Sequence, residues 1–493
     1  MEPKYVTQGL DPKDVFTLFE EISQIARPTG NPANQKAMID WVEATLQAKG
    51  VKTRRDEVGN LFARKEASAG YESAPGVLLQ AHVDMVCAPN EDIFPLKLVV
   101  DGDYLHADGT SCGLDNGMGV ALAMALLMDD SFAHGLIEGA FSLNEDTDCY
   151  GAINMKPGYV QSRYMISLDD ESWGKICIGS AGAEAYTHIL PYGAEDIAPV
   201  LGERAHIAIR VSGLTGGHSG YSIHKNQANA IRIAATLLQQ VCDTLGDVRL
   251  VSIDGGMADN AIPMTCDVKL CIRAEQRESL YNLISRMSDT LKQQYEQTDP
   301  DMTIMVEDTT AATSGMGVFD TETLAICLTS CLNGPLVYHE NEDGTKEIQT
   351  SSNLASIKTE SDKITIRTLS RSSVKAELES VTEALRMRFL VFSSDVESIN
   401  HSSALCWQPD WQSSLLKTAK EAFCQLNGFA PEVYAPHCYM EGAYFAQIHG
   451  VLPIALGPQI DGAHTVEERV KISTVGKCRD LVVKIISALS TER

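Results

Sequence analysis

No apolar stretch in this chain of 493 residues approaches the ~20 residues that a helix needs to cross a bilayer. The N-terminal MEPKYVTQGLDPKD also lacks the basic and apolar regions of a secretory leader, so a cytoplasmic protein with no membrane partner is expected. Basic residues are scarce, 40 Lys+Arg against 66 Asp+Glu for a formal net charge of −26, and they form no dense run. That argues against a nucleic-acid partner held by phosphate neutralisation, and an acidic membrane surface would repel such a chain. The thirteen cysteines are an odd number and include no CxxC pair. Neither a disulfide framework nor a zinc ribbon follows, and the thiols read as reduced, small apolar residues. Apolar content is ample at 44%, and the length exceeds the ~250–300 residues that one core serves. Two domains are expected.

Val15, Phe16, Phe19, Ile22 and Ile25 recur at helical spacing behind Asp11 and Pro12, which predicts a helix capped by Asp11 and ended by Pro28. A second helix is predicted through Met38, Ile39, Trp41, Val42 and Leu46, with Lys49 and Gly50 as its stop. From Val51 the pattern shortens. GVLLQAHVD, EGAFSLNED and RYMISLDD are brief apolar runs that each end in His or acidic residues, and the apolar helix GMGVALAMALLM lies between the first two. This is α/β grammar, in which ligands bind beyond the carboxyl ends of the strands. Between about Tyr186 and Ile399, strands such as AHIAIRVSGL and DVKLCIRAE and a helix, ANAIRIAATLLQQV, indicate an inserted second domain. SSLLKTAKEAFCQL, VLPIALG and VKISTVGKCRDLVVKIISALS then return to the first fold as helix, buried strand and helix.

Several places in this frame carry side chains that bind metal or move protons. His82 and Asp84 form an HxD pair after Val77-Leu78-Leu79, where residues two apart project to one side and an imidazole ligand can hand its other N–H to the carboxylate. Alone, the pair fits a core or surface histidine better. Asp115, in Gly113-Leu114-Asp115-Asn116-Gly117 before a helix, reads by itself as an N-cap. Glu145 and Asp146 are adjacent carboxylates after Ala140-Phe141-Ser142-Leu143. Two like charges near a crevice raise one pKa unless a cation offsets them, so a metal with a general base stands beside the plainer reading of an acidic loop. Asp169 follows Met165-Ile166-Ser167-Leu168, and His464 lies in Asp461-Gly462-Ala463-His464-Thr465 of the returning segment. Each has a bland alternative by itself; their joint order is harder to dismiss.

That order resembles the cocatalytic-zinc metallopeptidases and deacylases and, within them, the aminoacyl-histidine dipeptidases. HVDMV, GLDNGMGVALA, the NED acid pair, SLDDE, GLTGGHSGYSIHKNQANA, NAIP, SSNL, RSSV and GPQIDGAHTVEERV fall in the family's order along essentially the whole chain. GGHSG and GAHTVEERV are the more specific of these. The resemblance implies an α/β, zinc-peptidase-like catalytic domain, residues 1–186 and 401–493, with a central mixed sheet flanked by helices. An α+β lid or dimerisation domain, 187–400, is inserted in it. Two Zn²⁺ per subunit are implied, with Mn²⁺ or Co²⁺ as substitutes: one held by His82, Asp115 and Asp169, the other by Asp115, Asp146 and His464. Asp84 then orients His82, and Glu145 is the general base on a water between the metals, which suits zinc's use of His nitrogen and carboxylate oxygen. The family has Glu-Glu where this chain has Glu145-Asp146, and Thr147-Asp148-Cys149-Tyr150 departs from its small, Gly-containing loop.

In the inserted domain the resemblance makes His218, in Gly216-Gly217-His218-Ser219-Gly220, an oxyanion donor, in many relatives across a dimer interface. A turn histidine is the plain alternative. Asn260, before Ala261-Ile262-Pro263, becomes a substrate contact. Arg371 becomes a clamp for the substrate's C-terminal carboxylate, on equal terms with a strand-surface arginine. His437 and Glu441 are pocket candidates, although Cys438, Tyr439 and Met440 depart from the family's His-Ala-Gly-Leu-Glu-Cys-Gly. The implied activity is hydrolysis of unblocked dipeptides, with Xaa-His as the candidate preference and a homodimer through the inserted domain left open. Against it stand an N-acyl-amino-acid deacylase or tripeptidase on the same metal site, and a non-catalytic binding homologue suggested only by Asp146 and the loop beside it.

Overall fold

The structure, a computed structural model, describes residues 5–191, 194–195, 203–310, 316–317, 321–340 and 344–491. The chain divides into two compact units: Met1–Ser180, Trp407–Ala435 and Met440–Arg493 form the first, Ala181–Cys406 and Pro436–Tyr439 the second. The joints expected at 186/187 and 400/401 fall inside strands Gly182–Pro191 and Glu397–Ala404, which pair with each other. A strand pair held by ladder hydrogen bonds stays in one sheet, so the divisions lie outside it.

The first unit is built on a mixed sheet of eight strands, in the order Lys52–Arg55, Leu61–Lys65, Ile137–Ser142, Val77–His82, Tyr164–Ser167, Leu452–Ala455, Lys175–Cys177 and Glu432–Tyr434. Val77–His82 pairs in parallel with both neighbours, and Leu61–Lys65 runs antiparallel to Ile137–Ser142. The two central strands Val77–His82 and Ile137–Ser142 are buried at every residue. That is why they read as continuous apolar runs and not as alternating ones. The chain passes between them through helix Leu114–Met128, which is buried along most of its length. Helices Lys13–Ile22, Pro32–Ala48, Ser414–Asn427 and Ile472–Leu489 contribute to the same core.

Register sets the level of the site. His82 lies opposite Ser142, and Gln80 opposite Ser167. Three parallel strands therefore end close together, and the residues just beyond them (Asp84, Glu145, Asp146 and Asp169) leave the same edge of the sheet. The first helix differs from expectation. Its N-cap is Pro12, with no side-chain cap, and it ends at Ile22 instead of running toward Pro28. The cause is tertiary: the Ser23 hydroxyl donates to Glu20 O, and the Ser23 carbonyl accepts from Leu96 N–H, which turns the chain out of the helix.

The second unit carries a nine-stranded sheet whose pairings are all antiparallel, and helices Ala230–Leu245, Arg277–Gln294 and Lys375–Phe392 pack with it around a separate core. Among the described residues no helix is long and apolar enough to cross a membrane.

Candidate metal centre

His82 is the last residue of its strand and is almost wholly buried. Its Nε2 lies 3.1 Å from Asp115 Oδ1 and 3.4 Å from Asp169 Oδ1. His464 places Nε2 at 3.0 Å from both Asp115 Oδ2 and Asp146 Oδ1. Asp115 thus turns one oxygen to each imidazole. Ligating atoms of His82, Asp115 and Asp146 all fall within 4.8 Å of one another.

Local backbone conformation makes this possible. Asp115 is not the N-cap that its position suggests: Gly113, at φ 63, takes that place, and Asp115 (φ −83, ψ 112) is non-helical inside the first turn. Its carboxylate is thereby directed at the imidazoles and not at the helix N–H groups. The amides of the turn into the helix, from Cys112 to Asp115, donate instead to Glu468 at 2.6–3.0 Å. His464 also has a left-handed backbone, φ 64, which few non-glycine residues adopt. Thr465 supports that turn by donating its hydroxyl to Gly462 O at 2.7 Å.

Asp84 lies behind His82, fully buried, with Oδ1 3.4 Å from Nδ1. The same oxygen accepts the Glu145 N–H at 3.0 Å, and Oδ2 accepts the Thr29 hydroxyl at 2.9 Å. Thr29 Oγ1 is also 3.1 Å from Asp146 Oδ2, so one hydroxyl braces two of the acids. Asp146, one methylene shorter than glutamate, still reaches His464. Glu145 stands beside the cluster, its Oε1 accepting from the Cys149 thiol at 3.6 Å.

Acidic groups outnumber the imidazoles, and the titration behaviour follows. Burial, with Asp169, Glu441 and Asp146 nearby, pushes the Glu145 carboxyl well above the usual range. Burial raises Asp169 as well. Asp115 moves the other way: burial opposes ionisation, but its contacts with His464 and His82 hold it far below the usual value. The hydrogen bonds to Asp115 and Asp146 push His464 up to about 11. His82 is raised too, its burial outweighed by Asp169 and Asp146. In electrostatic terms the cluster wants positive charge. Its geometry suits zinc, because bonds of ~2.0–2.2 Å in a tetrahedron put neighbouring ligand atoms about 3.3–3.6 Å apart, close to the 3.0–3.4 Å seen here. Each imidazole Nε2 faces two carboxylates, where a single N–H serves only one well and a metal serves both.

Glu441 lies in the first unit. It is 1% exposed, and its Oε2 accepts from Gln80 Nε2 at 2.6 Å and from Ser142 Oγ at 2.5 Å. It therefore supports the sheet one layer behind His82, and burial pushes its carboxyl up to about 8. The remaining candidates lie in the second unit. His218 Nδ1 accepts the N–H groups of Gly220 at 3.0 Å and Tyr221 at 3.3 Å, which leaves Nε2 as the ring's donor. Burial, then Arg371, lowers its pKa. Arg371 is 3% exposed, donates weakly from Nε to Ser219 Oγ at 3.5 Å, and among the described residues has no hydrogen-bond partner at Nη1. His437 Nε2 is 2.7 Å from Ser351 Oγ, and burial with Arg371 lowers its pKa to about 3, so it is neutral. Asn260 is exposed, and its carbonyl accepts from Ser219 N–H at 2.7 Å. Thr29, Arg27 and Glu468 were not singled out from sequence. Of these only Glu468 sits in a motif that was, GAHTVEERV.

The description of peptidase family M20/M25/M40 matches residues 78–488. The chain belongs to peptidase family M20/M25/M40. It is a peptide hydrolase by that membership, and the likeness to aminoacyl-histidine dipeptidases that its motifs suggest is borne out. The cytosol non-specific dipeptidase of Escherichia coli (strain K12) is 27% identical over 488 residues, 97% of this chain and 98% of that protein. The crystal structure of aminoacylhistidine dipeptidase from Vibrio alginolyticus has a TM-score of 0.89 at 27% identity, covering 99% of this peptidase and 98% of that chain. A tripeptidase from Staphylococcus aureus shares the fold, with a TM-score of 0.57 at 15% identity over 98% of this chain and 100% of that one.

Proposed function

We propose that this peptidase is a two-zinc dipeptidase acting on unblocked dipeptides, with Xaa-His as the preferred class. The observation that carries the proposal is Asp115, whose two oxygens each face a different imidazole, the arrangement needed when two metal sites share a carboxylate. The substrate class follows the names of the Escherichia coli and Vibrio alginolyticus relatives, and the first of these also suggests the cytoplasm.

His82, Asp115 and Asp169 would hold one zinc; Asp115, Asp146 and His464 would hold the other, with Mn²⁺ or Co²⁺ able to substitute. Bound there, zinc supplies Lewis acidity toward the peptide carbonyl and eases deprotonation of the attacking water. Glu145 takes that proton and returns it to the leaving amine, a role that suits a buried carboxyl with raised proton affinity. Asp84 fixes the His82 ring through Nδ1, so that Nε2 faces the centre. His218, as an Nε2–H donor, stabilises the oxyanion from its own chain or from a partner copy in a homodimer formed through the second unit. Arg371, a buried guanidinium with no ion-pair partner among the described residues, takes the substrate carboxylate, with the neutral His437 and exposed Asn260 as further contacts.

A side-by-side assay of free dipeptides, N-acetylated dipeptides and tripeptides in the presence of zinc tests this. Free dipeptides should dominate. Preference for the acylated set would make it a deacylase, preference for tripeptides a tripeptidase. No release from any substrate with zinc, manganese or cobalt would make it a non-catalytic homologue.

A further inference from the structure

Glu468 follows His464 in the same returning segment and is 1% exposed. Both of its oxygens are occupied by backbone amides of one turn. Oε2 accepts from Cys112 at 2.6 Å and Gly113 at 2.8 Å; Oε1 accepts from Leu114 at 2.7 Å and Asp115 at 3.0 Å. Arg27, fully buried, holds the opposite polarity of that turn. Its Nη2 donates to Gly113 O at 2.5 Å, while Nη1 donates to Val83 O at 3.0 Å and Asp84 O at 3.1 Å. Gly113 is thus gripped from both sides, its N–H by a carboxylate and its C=O by a guanidinium. The glycines make room for this: a Cβ on Gly113 would lie 2.4 Å from Arg27 Nη2, and one on Gly117 would lie 2.5 Å from it.

Burying two charges is costly, and apolar side chains of similar volume would often stabilise a core as well or better. What the charges accomplish and apolar groups cannot is to fix peptide planes. Asp115 needs that. Its non-helical φ/ψ is not imposed by the helix ladder, and the amide that precedes its side chain is one of those held by Glu468. The same contact ties the loop of His464 to the turn of Asp115, and Arg27 ties the turn of Asp84 to that of Asp115.

We infer that Glu468 and Arg27 are positioning residues that preset Asp115 between His82 and His464, so that zinc affinity depends on two side chains that do not touch the metal, an inference that rests on the two-zinc proposal above. The test is zinc binding to the full-length protein, by competition with a chromophoric chelator, alongside thermal unfolding of the metal-free form. Wild type is compared with Glu468→Gln, Glu468→Asp and Glu138→Gln. Glutamine keeps the shape of Glu468 but turns an amide N–H₂ toward two backbone donors. Glu138 is the matched control: it is 4% exposed and accepts from Gln161 N, Ser162 N and Ser162 Oγ at 2.7–2.8 Å, near the start of strand Ile137–Ser142.

Glu468→Gln should weaken zinc binding about 10–100-fold, with Glu468→Asp between it and wild type. Glu138→Gln should lose thermal stability and keep its zinc affinity. If the glutamine variant does not fold, the aspartate variant carries the comparison. Wild-type zinc affinity in the folded Glu468 variants overturns the inference, as does an equal loss in Glu138→Gln. Absence of tight zinc binding by wild type overturns the two-zinc proposal instead, so the two failures are distinguishable.

Discussion

Glu145 and Asp146 are neighbours in sequence with different tasks. Asp146 contacts His464 at 3.0 Å, whereas the Glu145 carboxylate, among the described residues, accepts from the Cys149 thiol and is paired with neither imidazole. Glu145→Gln should therefore reduce kcat by about 10²–10⁴-fold, the range for losing a general base, while metal content per chain stays at the wild-type value. Loss of metal together with activity would make Glu145 a ligand. Glu441 supports a pH prediction. Burial, eased by Ser142 and His82 but reinforced by Asp169 and Asp84, moves its carboxyl from the ordinary 4.5 up to about 8. Between these values the native state keeps a proton that the unfolded chain has released, so the contribution of Glu441 to stability falls as pH rises from about 5 to 8. In metal-free protein, Glu441→Gln should gain on wild type in urea midpoint over that window and stop gaining above it; parallel profiles would contradict the buried placement. The strand-end acids and both centre histidines were legible in the sequence because each closes an apolar run or a distinctive motif. Arg27 and Glu468 were not, because they serve backbone N–H and C=O groups, which carry no residue signature. Glu441 lies in a recognisable segment, but which way its side chain points is not written there.

Helix Leu114–Met128 is the element on which the centre leans most closely. A Cβ on Gly119 would lie 2.0 Å from Asn116 Oδ1 and 2.5 Å from Leu168 O, between the residues that adjoin Asp115 and Asp169. Gly119→Ala should cost about 1–3 kcal/mol of stability by chemical denaturation, as overpacking does, and should weaken zinc binding as well. An alanine variant of wild-type stability would show that the close approach is relieved at no cost. This helix and the strands around it could be read directly, since long apolar runs bounded by glycine and acid leave few alternatives. The first helix could not be ended correctly. Proline at 28 looked like the stop, yet the chain turns at Ser23, whose carbonyl binds Leu96 N–H. A partner so distant in sequence leaves no local mark.

For the whole molecule, the division of labour between two units sets the prediction. The second unit holds a buried arginine, Arg371, whose Nη1 lacks a hydrogen-bond partner among the described residues, next to a histidine whose tautomer is set by two amides. Arg371→Met should raise KM for dipeptides with a smaller change in kcat, and should narrow the preference for dipeptides over their C-terminal amides. An unchanged preference would remove Arg371 from carboxylate recognition. That the chain exceeds one core was plain from its length. Where one unit gives way to the other was not, because strands Gly182–Pro191 and Glu397–Ala404 announce themselves as strands without saying which sheet they join. The acidic excess of the composition likewise looked uniform, yet a few of its carboxylates are gathered around two imidazoles.

Release of free histidine from an Xaa-His dipeptide, followed as zinc is added back to metal-free protein, tests this most directly. Two sites sharing Asp115 predict no release without metal and a rate that levels off at two zinc ions per chain. Full turnover by metal-free protein, or a rate that saturates at one zinc per chain with no second ion bound, would contradict it.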